Sequence, residues 1–363
     1  MSYLKWLITT LFLILIFAAL VVAVNFYVDH HGVRLSLFGG SREIHQDQVI
    51  YPDGINQHMF NPELVFRNPE KFDSFLFGSS RTSVIHVEKI PEGRFYNMSY
   101  SLGLPTQHLA ILKAFVKRGI KIKRVIIGLD EIAFAMPPAA TQKHLVRIMH
   151  PDIGGPGRLE LFGMYFFRKP DLEELGRWYD RVVLGKMNGR IITTPRGLNL
   201  VWMEKDRIIE KAAKPVFYFD AGPYKPVTYD QKKMDEAFQS IEELVALAQA
   251  HHFQLTFFIS PIYSKLYLNN AEALLTAKAR LAQITDYYDF SGFNSVTTNP
   301  VNYYEEVHYR YRVGDMIIAR IFGVDVATLP KDFGVLVTKQ NVGQHLENQK
   351  RELEQYLKSH SLK

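Results

Sequence analysis

The chain of 363 residues contains no cysteine, so disulfide bonds and thiolate metal sites are excluded. Three further motifs are missing: a Gly-x-x-x-x-Gly-Lys-Ser/Thr phosphate loop, a His-Glu-x-x-His pair, and a Gly-x-Gly-x-x-Gly turn after a strand. Internal repeats are also missing. These absences argue against a metal-dependent or nucleotide-dependent enzyme, and we expect no cofactor.

The charge balance is mildly basic, with 43 Lys and Arg residues against 37 Asp and Glu residues and a net charge of +6. The basic residues are scattered, and no zinc-finger or RNA-recognition signature is present, which argues against nucleic acid as a partner. The small excess of positive charge instead favours anionic polymers or lipid headgroups.

A long apolar run lies near the N-terminus. The segment "WLITTLFLILIFAALVVAV", from Trp6 to Val24, has 19 residues without a charge. At about 1.5 Å per residue a helix of this length crosses the roughly 30 Å hydrocarbon layer. Lys5 precedes the run, so residues 1–28 are predicted to be a single-pass signal anchor in the cytoplasmic membrane, with the rest of the chain outside. The alternative is a cleaved signal peptide, whose apolar region is usually shorter.

The remainder of the chain has the sequence pattern of an α/β domain. Residues 29–70 show no sustained period and are predicted to be a juxtamembrane linker. Strands are predicted at 72–77, 94–97, 123–130 and 253–261, and helices at 104–118 and 234–250. Strands alternating with helices at this spacing are typical of a mostly parallel sheet.

Two other segments interrupt or extend this domain, which is predicted to span residues 71–328. An insertion at about 137–230 is rich in Pro, Gly, Trp and Tyr and follows no α/β rhythm. The tail, residues 329–363, contains the polar stretch "ENQKRELEQYLKS", which predicts a helix that is either solvated or docked on a partner.

Polar residues follow the ends of the predicted strands, where ligands bind in open α/β sheets. A serine in a strand-to-helix turn is exposed on one side and has backbone amides on the other, which suits a nucleophile and its oxyanion. Alternatively, Gly78-Ser79-Ser80 is simply a helix N-cap. The strand-end residues are Ser79, Ser80, Arg81, Asn97, Ser99, Ser101, Asp130, Glu131 and Ser260.

A catalytic serine needs a base, and one histidine stands out among the 13 in the chain. Glu305 lies three residues before His308 in the loop "NPVNYYEEVHYRYRV", where carboxylate and imidazole can be presented together. The alternative is that His308 is an ordinary surface residue.

Four blocks of sequence carry a resemblance to a known family. They are "FGSSRT", "YNMSYSLG", "IIGLDE" and the acid-x-x-His of the late loop. In this order they resemble the SGNH (GDSL-type) hydrolases, and more closely their membrane-anchored envelope branch, which includes the teichoic acid D-alanine transfer protein and alginate O-acetylation proteins. The resemblance covers residues 72–132 and 253–322.

The resemblance implies a three-layer, flavodoxin-like sandwich with a mostly parallel sheet. By position, Ser80 matches the nucleophile and His308 the base, and Glu305 stands where the family usually has aspartate. The oxyanion side departs from the family pattern, because Ser99 stands in place of a glycine and Asp130 in place of an asparagine.

For the oxyanion the resemblance therefore leaves several candidates. They are the Ser80 and Ser99 amides, Asn97 as a substitute donor, a protonated Asp130, and Arg81 beside the nucleophile.

Two functions are consistent with these observations. The first is an extracytoplasmic serine esterase or O-acyltransferase that acts on an acylated envelope polymer, and the resemblance implies a membrane-bound O-acyltransferase partner. The second is a catalytically silent glycan-binding or scaffold subunit, suggested by the departures at Ser99 and Asp130. Aromatic residues in the insertion suit a carbohydrate cleft or, alternatively, a core; they are Trp178, Tyr179, Trp202, Tyr218 and Tyr224.

Overall fold

The computed structural model describes residues 2–38, 43–45, 48–52, 54–135, 144–186, 190–212, 214–215 and 229–360. The chain divides into two compact units. We call residues 1–64 and 142–192 the N-terminal unit, and residues 65–141 and 193–363 the sheet unit.

The strands of the described residues are short, from three to six residues each. Their bounds are β1 Glu43–His45, β2 Gln48–Pro52, β3 Ser74–Phe77, β4 Phe95–Asn97, β5 Arg124–Leu129, β6 Arg190–Thr193, β7 Gln254–Ile259, β8 Tyr287–Asp289 and β9 Val335–Val337.

The helices range from single turns to the long N-terminal helix. Their bounds are α1 Tyr3–Val28, α2 Val33–Phe38, α3 Gln57–Arg67, α4 Pro105–Lys117, α5 Arg158–Phe166, α6 Leu172–Val182, α7 Met203–Ala212, α8 Gln231–Ala250, α9 Ser264–Leu268, α10 Ala271–Ile284, α11 Tyr311–Phe322 and α12 Val342–His360.

The sheet unit is built on a six-stranded sheet in the order β4-β3-β5-β7-β8-β9. Every neighbouring pair is parallel except β8 with β9 at the edge. The prediction of an α/β fold with a mostly parallel sheet is therefore confirmed. All four side chains of β3 are buried, as expected for a strand covered on both faces.

Helices cover the sheet with their apolar faces. In α4, Pro105 occupies the first turn and Gly119, with φ of +69°, follows the end, so the sequence signals for both ends hold. This helix packs against α8, which also contacts α10, and α10 contacts α12 in turn. Buried residues of α11, Val313 and Ile317, join the aromatic core beside the sheet.

The N-terminal unit contains regular structure where the sequence predicts a linker. Residues 29–70 include α2, the antiparallel hairpin of β1 and β2, and α3. Within the span 137–230, predicted to be an insertion, α5 and α6 belong to the N-terminal unit and α7 belongs to the sheet unit. These elements are at most 11 residues long, and α3 contains Pro62, so no long period shows in the sequence.

Helix α1 is long and apolar enough to cross a membrane, and most of its side chains before Val21 are exposed. Its last turn is different, because Asn25 and Val28 are buried within the N-terminal unit. At the other end of the chain, the predicted polar tail is the helix α12, and its Gln349 is buried.

Candidate active site

The two serines in the turn after β3 differ in their contacts and in their exposure. Gly78, with φ of +157°, allows the chain to leave the strand, and a Cβ there would lie 2.4 Å from the Thr82 side chain. Ser79 is the N-cap of a 3₁₀ helix spanning Ser80–Val84, and its hydroxyl accepts a hydrogen bond from the Arg81 amide. Ser80 is exposed. The N-cap interpretation of the motif thus applies to Ser79, and the exposed Ser80 takes no part in that cap.

The structure brings Ser80, His308 and Glu305 together in one hydrogen-bonded chain. The Ser80 Oγ lies 2.8 Å from His308 Nε2, across 228 positions of sequence. On the other side of the ring, His308 Nδ1 is hydrogen-bonded to Glu305 Oε1. A hydroxyl, an imidazole and a carboxylate in this order have the geometry of a nucleophile, its base and the acid that orients the base.

Glu305 is fixed by the backbone of its own loop as well as by the ring. The amide of Val307 donates to Oε2 at 2.7 Å, and the amide of His308 donates to Oε1 at 3.1 Å. Burial alone would raise the pKa of Glu305, but the hydrogen bonds and the charge of a protonated His308 lower it below its ordinary value. The carboxylate is therefore ionised near neutral pH and held in place by its own loop.

The Ser80 amide is available as an oxyanion donor. It makes no hydrogen bond to any residue in the described part of the chain, and it lies at the start of the 3₁₀ helix, where amides point outward.

Two other oxyanion candidates have partners within the protein. The amide of Ser99 donates to Asn97 Oδ1 at 3.0 Å, and Asn97 Nδ2 donates to the Thr82 carbonyl at 2.8 Å. The amide of Ser99 and the side chain of Asn97 therefore tie β4 to the turn that carries the serine.

Asp130 is also turned toward the protein. Its Oδ2 accepts from Ser79 Oγ at 2.6 Å and lies 3.2 Å from Arg81 Nη1, while Oδ1 caps the 3₁₀ helix Glu131–Phe134. Burial raises the pKa of Asp130 above its ordinary value, and Arg81 and the hydrogen bond from Ser79 oppose this rise. The residue therefore links the ends of β3 and β5.

Arg81 lies at the centre of a buried ionic network. Its two terminal nitrogens each bond one oxygen of Glu131 at 2.6 Å, and both side chains are at most 3% exposed. Burial alone would lower the pKa of Arg81, but the carboxylates of Glu131 and Asp130 raise it, so the guanidinium keeps its charge. Its Nε donates to the Val307 carbonyl at 2.9 Å, next to His308. Arg81 therefore connects the serine turn directly to the histidine loop.

Aromatic rings border the His308 ring. Trp202 stacks on Tyr304 with ring centroids 5.0 Å apart, and its ring lies 5.6 Å from that of His308. Behind it, the Tyr304 hydroxyl donates to Asp206 of α7 at 2.8 Å, and Asp206 also accepts from Arg310. Sequence reasoning grouped Trp202 with other aromatics of the insertion but did not place it at the base, because no spacing rule joins the two segments.

The other aromatics of that group lie elsewhere. Trp178 and Tyr179 belong to α6 of the N-terminal unit. Tyr218 and Tyr224 lie outside the described residues.

A second residue that sequence reasoning missed is Gly103, between β4 and α4. Its φ is +56°, and a Cβ there would lie 2.4 Å from the carbonyl carbon of Gly78. Only glycine allows the loop to lie so close to the serine turn. The signal in the sequence is a glycine just before the Pro-initiated helix, within "YSLGLP".

No group of three or more His, Asp or Glu side chains suited to hold a metal ion occurs among the described residues. Comparison with protein-family models finds no match for this chain, and no curated protein matches it either. The assignment of a function therefore rests on the geometry of the site.

Proposed function

We propose that the protein is a serine-dependent acyl esterase or O-acyltransferase of the cell envelope. The observation that carries this proposal is the hydrogen-bonded chain from Ser80 through His308 to Glu305. Such a chain converts a weakly nucleophilic hydroxyl into one that attacks esters.

In the first half of the reaction, Ser80 Oγ attacks the ester carbonyl while His308 Nε2 takes its proton. Glu305 stabilises the imidazolium that forms, since it is ionised and bonded to the opposite ring nitrogen. The carbonyl oxygen becomes an oxyanion, which the Ser80 amide receives. When the tetrahedral intermediate collapses, the ester C–O bond breaks, and the imidazolium returns its proton to the leaving alkoxide.

In the second half, an acceptor hydroxyl attacks the acyl-serine. His308 removes the proton of the acceptor hydroxyl while the acceptor oxygen bonds to the carbonyl carbon. His308 then gives that proton to Ser80 Oγ when the acyl–serine bond breaks. If the acceptor is water the product is a free acid, and if it is a sugar hydroxyl the acyl group has been transferred. The stacked face of Trp202 beside the imidazole suits a sugar ring as donor or acceptor.

The location and substrate class belong to the same proposal. Helix α1 anchors the chain in the cytoplasmic membrane, with the sheet unit on the extracytoplasmic side as a three-layer, SGNH-like domain. Its substrate is an acylated envelope polysaccharide or a related polymer, and a membrane-bound O-acyltransferase supplies the acyl groups. The apolar length of α1 and the net charge of +6 support this view.

A fluorophosphonate probe tests the proposal, because it reacts covalently with an activated serine. We expect the wild-type chain to be labelled, and both Ser80→Ala and His308→Ala to lose labelling. Ser359→Ala is the matched control, since Ser359 lies at the exposed end of α12. Labelling that is equal in wild type and Ser80→Ala would refute a nucleophilic Ser80.

A second candidate function is favoured by the oxyanion side of the site. Because the Ser99 amide and the Asn97 side chain are bonded within the protein, fewer donors remain for an oxyanion. The alternative is therefore a catalytically silent subunit that binds an envelope glycan or scaffolds an assembly complex. That alternative predicts no probe labelling of the wild type and unchanged biological activity in Ser80→Ala.

A further inference from the structure

Helix α6 of the N-terminal unit is amphipathic, and none of its residues is buried. At 3.6 residues per turn its apolar residues fall on one side and its charged residues on the other. The outermost apolar side chains of α6 and its C-cap expose between 49 and 83% of their surface: Leu172, Tyr179, Val182 and the capping residue Val183. The opposite side carries Glu173, Glu174, Arg177, Asp180 and Arg181. An amphipathic helix normally buries its apolar side, so this one requires a cover.

The neighbouring helix α1 indicates what lies against the apolar side of α6. The last turn of α1 is built into the same unit, because Asn25 Nδ2 donates to the carbonyls of Phe166 and Arg168 at 2.9 and 2.7 Å. Phe26 of α1 also packs on Phe166, with ring centroids 5.4 Å apart. Helix α6 begins six residues after Phe166 and itself contacts α1. A bilayer crossed by α1 therefore ends beside α6.

The exposed side chains around this junction are of the kind that lie at a membrane surface. Tyr27, Phe38 and Phe167 are each more than half exposed, and Leu159 of α5 is 90% exposed. Aromatic rings at the end of a spanning helix lie at the level of the lipid headgroups. Short amphipathic helices with aromatic and aliphatic residues on one side lie in that same zone.

We propose that α6 lies in the interfacial zone of the bilayer that α1 crosses, with Leu172, Tyr179 and Val182 among the lipid headgroups and upper acyl chains. The cover of the apolar side is lipid, and on the charged side Glu173 faces water while Glu174 pairs with Arg168. The N-terminal unit is then held to the membrane at two places, the spanning helix and the surface helix. This inference rests on the membrane anchor of the proposed function.

Fluorescence quenching of single-cysteine variants tests the proposal on the full chain in phosphatidylcholine vesicles. The natural chain has no cysteine, so a polarity-sensitive nitrobenzoxadiazole dye labels only the introduced position. We choose Leu172→Cys and Val182→Cys on the apolar side, with Glu173→Cys on the charged side as the matched control. Ile16→Cys, at an exposed position of α1, reports on the anchor itself.

We expect the dye at positions 172 and 182 to emit at shorter wavelength and to lose fluorescence when the vesicles contain lipid with a nitroxide near the headgroup. The dye at position 173 should keep its fluorescence. At position 16, quenching should require a nitroxide deep in the acyl chain.

Equal responses at 172, 182 and 173, together with deep quenching at 16, would overturn the interfacial helix and leave the anchor intact. If the three dyes are all unquenched, the apolar side of α6 does not contact lipid. Absence of quenching at 16 would overturn the anchor and the interfacial helix together. Neither result bears on the activity of Ser80, which the fluorophosphonate probe reports separately.

Discussion

Removing Arg81 tests whether the buried ionic network supports both the fold and the site. In Arg81→Met, the carboxylates of Glu131 and Asp130 stay buried without their cation. Breaking a buried ion pair by removing one partner costs about 3–5 kcal/mol, a large part of the roughly 5–15 kcal/mol that stabilises a typical domain. In Glu131→Gln the arginine keeps Asp130, so we expect about 1–3 kcal/mol, the loss of a charged hydrogen bond.

The double variant Arg81→Met/Glu131→Gln completes a thermodynamic cycle. In the double variant, residue 131 no longer carries an unpaired charge. We therefore expect the double variant to lose less stability than the sum of the two single variants, by about 0.5–3 kcal/mol. The assay is urea denaturation of the full chain in detergent. At each urea concentration, the fraction of the protein that still reacts with fluorophosphonate is measured. Lys113→Met is the control, since it removes an exposed ion pair with Glu243 and should cost less than about 1 kcal/mol.

The same variant also tests the proposed catalysis, because Arg81 Nε donates to the Val307 carbonyl, next to His308. Without urea, folded Arg81→Met should be labelled more slowly than wild type, while Lys113→Met should be labelled at the wild-type rate. A cost below about 1 kcal/mol for Arg81→Met, or strictly additive single variants, would refute the account of the network.

Three further predictions follow from other contacts. Glu305→Gln keeps the shape but loses the charge, and we expect labelling to slow by roughly 10⁴ with little change in urea midpoint. Gly103→Ala should lose more stability and labelling than Gly119→Ala, since both have positive φ but only the first brings a Cβ against backbone; equal losses would contradict the close approach. Burial alone would raise the pKa of Asp289, but Lys278 and its other partners lower it far below its ordinary value. The stability that the ionised Asp289 contributes to the folded protein should therefore be lost as pH falls below about 4. Asp289→Asn should show a smaller loss of stability over that acid range.

The sequence predicts the central sheet well because its strands are buried apolar runs that end in polar turns. β3, β4, β5 and β7 lie where the pattern places them. β8 and β9 were missed, since three residues such as Tyr287–Asp289 carry no period. The regular structure in residues 29–70 was missed for the same reason, because its elements are short, from three to 11 residues.

The candidate site divides in a similar way. The position of Ser80 after a strand, and the spacing of Glu305 and His308, are visible in the sequence because both follow simple rules. The direction of a polar side chain at a strand end is not, because it depends on which backbone amides and cations surround it. Asp130 and Asn97 both follow strands, yet the structure engages each within the protein rather than as a donor to substrate.

The separation of nucleophile and base along the chain also affects how the protein is made. The ribosome releases Ser80 long before His308, which follows 228 positions later. A nascent or prematurely ended chain therefore carries the Ser80 hydroxyl without the His308 imidazole. The proposed activity would therefore arise only after synthesis of the chain is nearly complete.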